Sequence, residues 1–185
     1  MSSGSHEIEI KLPVPDANAA RRLLRNAGFR VLKRRTLEAN TVFDTPEQNL
    51  RQTGRLVRLR EAGSAVTFTY KGPAEISKHK SREELEVTVS NAQLLAAILQ
   101  RLGFLPVFRY EKYRTEWGRP AQRGIATIDE TLVGVYIELE GTPPWIDRTA
   151  RQLGYAEKDY ITASYGRLYL DWCTQRGVQP CNMVF

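Results

Sequence analysis

The sequence predicts an α+β protein in which an antiparallel sheet or barrel is packed on its outside by helices. Three observations lead there. Eight segments alternate apolar and polar residues with the two-residue period of a strand: 6–13, 30–44, 55–61, 65–71, 81–89, 105–117, 124–130 and 133–140. Only four segments carry a helical period, at 16–27, 91–102, 143–153 and 162–175, so strands dominate. The chain has 185 residues, the size of one domain, and can bury about 70% of its unfolded surface.

The first strand reads His6-Glu7-Ile8-Glu9-Ile10-Lys11-Leu12. Glu7, Glu9 and Lys11 share one face, and Ile8, Ile10 and Leu12 share the other. The helix after it aligns Ala17, Ala20, Leu23, Leu24 and Ala27, with Asp16 as N-cap and Gly28 as stop. Strand 55–61 sets Arg58 and Arg60 against Val57 and Leu59. Strand 65–71 sets Thr67, Thr69 and Lys71 against Val66, Phe68 and Tyr70. Strand 81–89 sets Arg82, Glu84 and Glu86 against Leu85, Val87 and Val89. The second helix carries Leu94, Leu95, Ile98, Leu99 and Leu102 before Gly103. In 105–117, Lys112 and Arg114 stand with Phe108 and Tyr110. In 124–130, Thr127 and Asp129 oppose Ala126 and Ile128. In 133–140, Tyr136, Glu138 and Glu140 oppose Val135, Ile137 and Leu139. The third helix opens on Pro143-Pro144 and closes at Gly154, and a fourth ends the fold. Residues 1–6 read as a disordered N-terminus or an expression remnant, 7–176 as one domain, and 177–185 as a C-terminal tail. A Glu-x-Glu pair precedes three of the helices, but the intervals are unequal, so common cap chemistry explains this as well as duplication does.

The longest apolar run, Leu94 to Leu99, is far short of the ~20 residues that span a bilayer. No leader pattern opens the chain. Cys173 and Cys181 do not make a disulfide framework, which points to a reducing, cytoplasmic setting and to no membrane partner. The net charge of +6 fits either plain solubility or an anionic ligand such as phosphate, polyphosphate or nucleic acid.

Taken together, the charged faces hold Glu7, Glu9, Glu84, Glu86, Asp129, Glu138 and Glu140 against Lys11, Arg58, Arg60, Lys71, Arg82, Lys112 and Arg114. Two arrangements fit. These faces can look at water around an apolar barrel, as antiparallel sheets usually do. Alternatively they line a channel, with the apolar faces outward under the helices. Two features favour the channel. The helices bring apolar stripes that need a wall to cover, and the charged faces contain few of the Thr, Ser and Gln fillers usual on wet strands. Equal numbers of acids and bases make pairing inside a channel feasible. A bound triphosphate would add roughly four negative charges, which about two divalent cations would offset.

These residues resemble the CYTH superfamily, the triphosphate tunnel metalloenzymes. Glu7-x-Glu9-x-Lys11 is similar to its ExExK signature. Val42-Phe43-Asp44-Thr45 resembles (Y)FDT, Val57-Arg58-Leu59-Arg60 resembles LRxR, and Tyr70-Lys71-Gly72-Pro73 resembles xKGP. Arg82-Glu83-Glu84-Leu85-Glu86 resembles RxExE, and Lys112-Tyr113-Arg114 resembles KxR. Asp129, Glu138-Leu139-Glu140 and Ser164-Tyr165 complete the order, which runs from residue 7 to about 170. The resemblance implies a closed eight-stranded antiparallel barrel with a charged tunnel. It also implies a triphosphate-containing substrate held with Mg²⁺ or Mn²⁺, two ions in all. Family activities include hydrolysis of inorganic, thiamine and RNA 5′-triphosphates, and class IV adenylate cyclase.

On that reading Glu7, Glu9, Asp129, Glu138 and Glu140 are the metal ligands, hard carboxylates suited to hard ions. An i, i+2 pair on a strand sets its Cα atoms ~7 Å apart and aims both carboxylates one way. Lys11, Arg58, Arg60, Lys71, Arg82, Lys112, Arg114 and Tyr165 bind substrate, Arg as a fork and Lys as a point charge. Glu7, Glu9, Lys11, Lys112 and Glu138 are the catalytic candidates. Glu84 and Glu86 either touch metal-bound water or pair with Arg58 or Arg82. Phosphoryl transfer asks mainly for position and charge neutralisation, so no Ser, His or Cys nucleophile is needed. His6 and His79 read as surface residues, Trp117, Trp145 and Trp172 as packing, and Lys78 to Lys80 as a charged loop. The faces of Arg34 and Arg35 stay open. Three functions fit: a metal-dependent triphosphatase, an adenylate cyclase making cyclic AMP and pyrophosphate from ATP, and a non-catalytic module binding polyphosphate or a 5′-triphosphate RNA end. The expected assembly is a monomer or homodimer.

Overall fold

A computed structural model describes residues 5–185. In chain order the elements are β1 (Ser5–Val14), α1 (Ala17–Asn26), β2 (Arg30–Asp44), α2 (Asn49–Gln52), β3 (Leu56–Ala62), β4 (Ala65–Lys71), β5 (Glu75–Ile76), β6 (Lys80–Thr88), α3 (Ala92–Arg101), β7 (Leu105–Gly118), β8 (Ile125–Thr131), β9 (Gly134–Glu140), α4 (Pro143–Gln152) and α5 (Tyr165–Arg176). Residues 1–4 of the expected N-terminal tail lie outside the described residues. Ser5 and His6, counted with that tail, begin β1 and pair with Glu84 and Glu83.

Eight strands close in the order β1-β9-β8-β7-β2-β3-β4-β6 and return to β1, every pair antiparallel. Closure gives strand backbones on both sides a partner, which is why a barrel has no edges to guard. The two-residue β5 is an addition, paired with Ser81 and Lys80 of β6.

The apolar core lies outside the barrel wall. Ile10, Leu12, Ile128, Ile137 and Leu139 point outward and are wholly buried against Ala20 and Leu24 of α1 and Ile146 and Ala150 of α4. A second cluster puts Phe43 and Leu59 under Ala92 and Leu99 of α3. The channel arrangement is therefore the one adopted, because the amphipathic stripes of α1, α3 and α4 need an apolar wall and only the outside of a closed sheet offers one. Asp16 caps α1 by accepting from the Ala19 amide at 2.8 Å, and Asn91 caps α3 from Leu94 at 2.8 Å. Gly28, Gly103 and Gly154 follow three of the helices with φ between +82° and +90°, a conformation glycine reaches without Cβ strain.

Two elements had no periodic signal. The single turn of α2 is organised by the buried Asp44 carboxylate, which accepts from the backbone N–H groups of Thr45, Leu50 and Arg51 at 2.8–2.9 Å. The expected C-terminal tail is docked. Beyond Lys112, β8 no longer runs beside β7. Met183 takes that open side, donating to Arg109 at 2.9 Å and accepting from Glu111 at 2.8 Å, and its side chain is fully buried. Among the described residues no helix is long and apolar enough to cross a membrane.

Candidate active site

The barrel encloses a cavity of about 380 Å³, within the range of ligand sites. Glu7, Glu9 and Lys11 of β1, Arg58 and Arg60 of β3, Lys71 of β4, Arg82, Glu84 and Glu86 of β6, Lys112 and Arg114 of β7, and Glu138 and Glu140 of β9 line it, and Ser164 to Gly166 at the start of α5 add to the lining. The two-residue strand period puts every one of these side chains on the inner face.

Asp129 forms the floor, with no exposed surface. Its carboxylate accepts from Arg114 at 2.6 and 2.7 Å, from Lys112 at 2.9 Å and from the Tyr165 hydroxyl at 2.7 Å. Arg114 also reaches Glu138 at 2.7 Å. Burial alone would raise the Asp129 pKa, but the Arg114 and Lys112 charges overcome it and hold it at about 2. Glu138 is pulled well below the usual carboxylate range in the same way, by Lys11 and Arg114 against burial. The Tyr165 ring lies beneath both Lys11 and Lys112, with each ammonium 5.0–5.1 Å from its centroid.

On the β1–β6 side each motif glutamate meets cations. Glu7 receives Lys71 at 2.5 Å and Arg82 at 3.5 Å, and Glu9 receives Lys80 at 2.6 Å and Lys11 at 3.2 Å. Burial and nearby Glu138 act to raise Glu9, and Lys11 and Lys80 outweigh them. Toward the mouth, Glu84 pairs with Lys71 at 3.0 Å and stands 3.9 Å from Arg58, while Glu86 accepts from Thr69 at 2.9 Å. Arg60 donates to Asn40 at 2.9 Å, and Arg58 to the Tyr110 hydroxyl at 3.3 Å. Burial would raise that phenol, yet Arg58 and Arg60 bring it to about 8. Glu140 makes no ion pair among the described residues. Glu140 stands exposed at the rim, yet partial loss of hydration there, with like charge from Glu7 and Glu138, pushes it up to about 7.

The CYTH domain family matches residues 5–165. The chain belongs to the CYTH family. A Methanocaldococcus jannaschii protein named as a candidate adenylate cyclase is 30% identical over 135 residues, 72% of this chain and 75% of its own length. A solved structure from Vibrio parahaemolyticus, also described as a candidate adenylate cyclase, matches with TM-score 0.77 at 21% identity, over 90% of this chain and 98% of that one. A Hippeastrum protein described as a candidate adenylyl cyclase with dominant triphosphatase activity matches with TM-score 0.63 at 21% identity, over 94% and 97%. At such identities these structures speak to the fold.

In this CYTH protein the site residues read from the sequence converge on one cavity, and Asp129 sits just beneath its surface. Glu84 and Glu86 face Arg58 and Lys71, whereas Arg82 turns to Glu7. Three inner-wall residues went unread. Lys80 is buried inside, although 78–80 reads from sequence as a charged loop; β6 starts at Lys80, one residue before the alternation begins, and parity then places Lys80 with Arg82. Glu38 is buried 3.5 Å from Arg60 and 3.6 Å from Lys112, and Asn40 is fully buried. Register shifts between Val31 and Thr36 leave Arg34 and Arg35 outside, where Arg35 stacks on Tyr113 and binds Glu130. His79 is buried rather than on the surface, hydrogen-bonded to Asp147 at 2.9 Å. With Glu38 and Lys80 added, inner-wall acids and bases still balance, so the surplus of +6 lies on the outer surface.

Among the described residues no three acidic, His or Cys side chains converge on one point, because the glutamates turn toward ammonium and guanidinium groups. The donor set nevertheless fits a hard divalent ion. It is all carboxylate, drawn from two adjacent strands in which Glu9 lies opposite Glu140 and Lys11 opposite Glu138, with Glu140 uncommitted.

Proposed function

We propose that the chain is a divalent-metal-dependent phosphohydrolase that cleaves inorganic triphosphate or a small organic triphosphate inside the barrel. The observation that carries this reading is the concentration of carboxylates and cations on a single enclosed wall. Cations alone would suffice for binding an anion, whereas acids beside them suit a metal–triphosphate complex. Glu7, Glu9, Glu138 and Glu140 would hold Mg²⁺ or Mn²⁺, which supplies charge neutralisation on the phosphoryl oxygens and a more acidic attacking water. Asp129 serves as anchor for Lys112 and Arg114 rather than as a direct ligand, since its oxygens are already occupied by three donors.

The bases do the rest. Arg58, Arg60, Lys71, Lys112 and Arg114 surround the volume a triphosphate would fill, and rigid anchoring cuts the reorganisation needed as charge moves toward the leaving oxygen. Arg58 Nε is buried with no acceptor among the described residues, leaving one N–H for a phosphoryl oxygen. Both cysteines are free thiols, in keeping with a reducing cytoplasm.

Adenylate cyclase is the second reading. Val42, Leu56 and Phe108 give the cavity an apolar stretch that could receive an organic group, and the name of the Methanocaldococcus jannaschii relative points the same way. The deciding assay incubates the protein with inorganic triphosphate or ATP and either Mg²⁺ or Mn²⁺. Phosphate release from triphosphate supports the hydrolase, cyclic AMP with pyrophosphate from ATP replaces it by the cyclase, and tight triphosphate binding without turnover makes the chain a binding module.

A further inference from the structure

Lys80 stands apart from the other lumenal bases. It enters from a hairpin, opposite Ile76 of β5 on one side and Glu9 of β1 on the other. Its ammonium donates to Glu9 Oε1 at 2.6 Å, and the residue is 5% exposed. The backbone that delivers it is fastened outside the barrel. Lys78 binds Asp147 at 3.0 Å and Glu157 at 2.9 Å, His79 binds Asp147 at 2.9 Å, and Tyr160 donates to the same Asp147 oxygen at 3.2 Å. The Ser77 amide donates to the His79 carbonyl at 3.0 Å and tightens the turn between.

This arrangement fixes the main chain, so any change of partner falls to the four-carbon side chain, which lines the cavity. Lys11, the other cation on Glu9, is also held by Glu138 at 3.2 Å and sits above Tyr165. Lys80 has Glu9 as its sole carboxylate partner among the described residues. A buried glutamate without a cation is costly, so Lys80 satisfies Glu9 while the lumen is empty. Both ammonium groups sit on Oε1, so a divalent ion that takes Glu9 through both carboxylate oxygens displaces the Lys80 ammonium, which then faces the lumen where a phosphoryl oxygen would lie.

We propose that Lys80 is a displaceable counter-cation. It occupies Glu9 in the metal-free protein, sets the concentration at which a divalent ion enters, and moves to the triphosphate once the ion has bound. It is a positioning residue, and this role rests on the carboxylate reading above.

The test measures Mn²⁺ binding directly, by electron paramagnetic resonance of the free ion, without triphosphate and at fixed pH and salt. Lys80→Met should bind Mn²⁺ roughly tenfold more tightly than the wild type, because one positive charge has left the site, while Lys80→Arg should stay close to the wild type. With Mn²⁺ saturating, Lys80→Met should then bind inorganic triphosphate several-fold more weakly. Thermal melts accompany each variant, and Lys80→Gln substitutes if the methionine variant does not fold. A merely structural lysine would lower the melting temperature and leave Mn²⁺ affinity unchanged or weaker, which overturns the proposal. Glu9→Gln separates the two ideas. If it weakens Mn²⁺ binding and Lys80→Met has no effect, Lys80 alone is misread; if it binds Mn²⁺ like the wild type, the carboxylate reading fails and takes the Lys80 role with it.

Discussion

At the floor of the lumen, Asp129 holds Arg114, Lys112 and Tyr165 at 2.6–2.9 Å; at the mouth, Glu140 holds no cation among the described residues. The two carboxylates face the same cavity and titrate far apart, Asp129 at about 2 and Glu140 at about 7. Their difference separates two duties. The floor is a finished ion network that gives the bases fixed positions. The mouth has charge that is not yet compensated, and that is where an added cation gains most.

Asp129→Asn should break this contrast most strongly. It strips a wholly buried network of its central charge and leaves Lys112 and Arg114 short of a partner, so unfolding free energy should fall by about 3–5 kcal/mol. Urea denaturation measures it, and a loss under about 1 kcal/mol would mean the floor is no tighter than the mouth.

Glu140→Gln should act in the opposite direction. The folded Glu140 binds its proton more tightly than the ordinary value of 4.5, so its ionisation disfavours the fold. That penalty is absent below pH 4.5, grows as pH rises to about 7, and is complete above it. The metal-free variant should therefore melt higher than the wild type, with the gap opening between pH 4.5 and 7 and then levelling. Added Mn²⁺ should narrow it by stabilising the ionised wild type, and a gap that closes with rising pH in metal-free buffer would refute the assignment.

The smallest effect is expected at Glu86. Its side chain is 43% exposed and its nearest cation is 3.9 Å away. Glu86→Gln should change stability by less than about 1 kcal/mol, and a larger change in the same urea experiment would extend the tight network from floor to rim.

How much of this was legible follows from what a repeat of two can report. It assigned Glu7, Glu9, Arg58, Lys71, Lys112 and Glu138 to charged faces without a register. It could not say whether those faces looked in or out; the family order did, and the buried contact of Ile137 and Leu139 with α1 and α4 supplies the physical cause. Lys80 was lost because a hairpin turned one residue sooner than its composition suggested, and Glu38 because bulges in β2 obscured the count. Partner choice inside the lumen was out of reach. Lys71 meets Glu7 across 64 residues of sequence, a pairing set by how the closed sheet is staggered rather than by any local pattern.

The seam between β1 and β9 joins the most distant strands of the barrel, pairing Glu9 with Glu140 and Val14 with Val135, and Glu9, Lys11, Glu138 and Glu140 all lie on it. Hairpins such as β3–β4 and β8–β9 are local and quick to form, whereas bringing distant strands together costs loop-closure entropy and comes later. Until that last seam zips, the charges described above are not a cavity at all but a stripe along one side of an open sheet, bathed in water. The site is thus a product of topology as much as of sequence: a refolding chain acquires its strands first and its chemistry last.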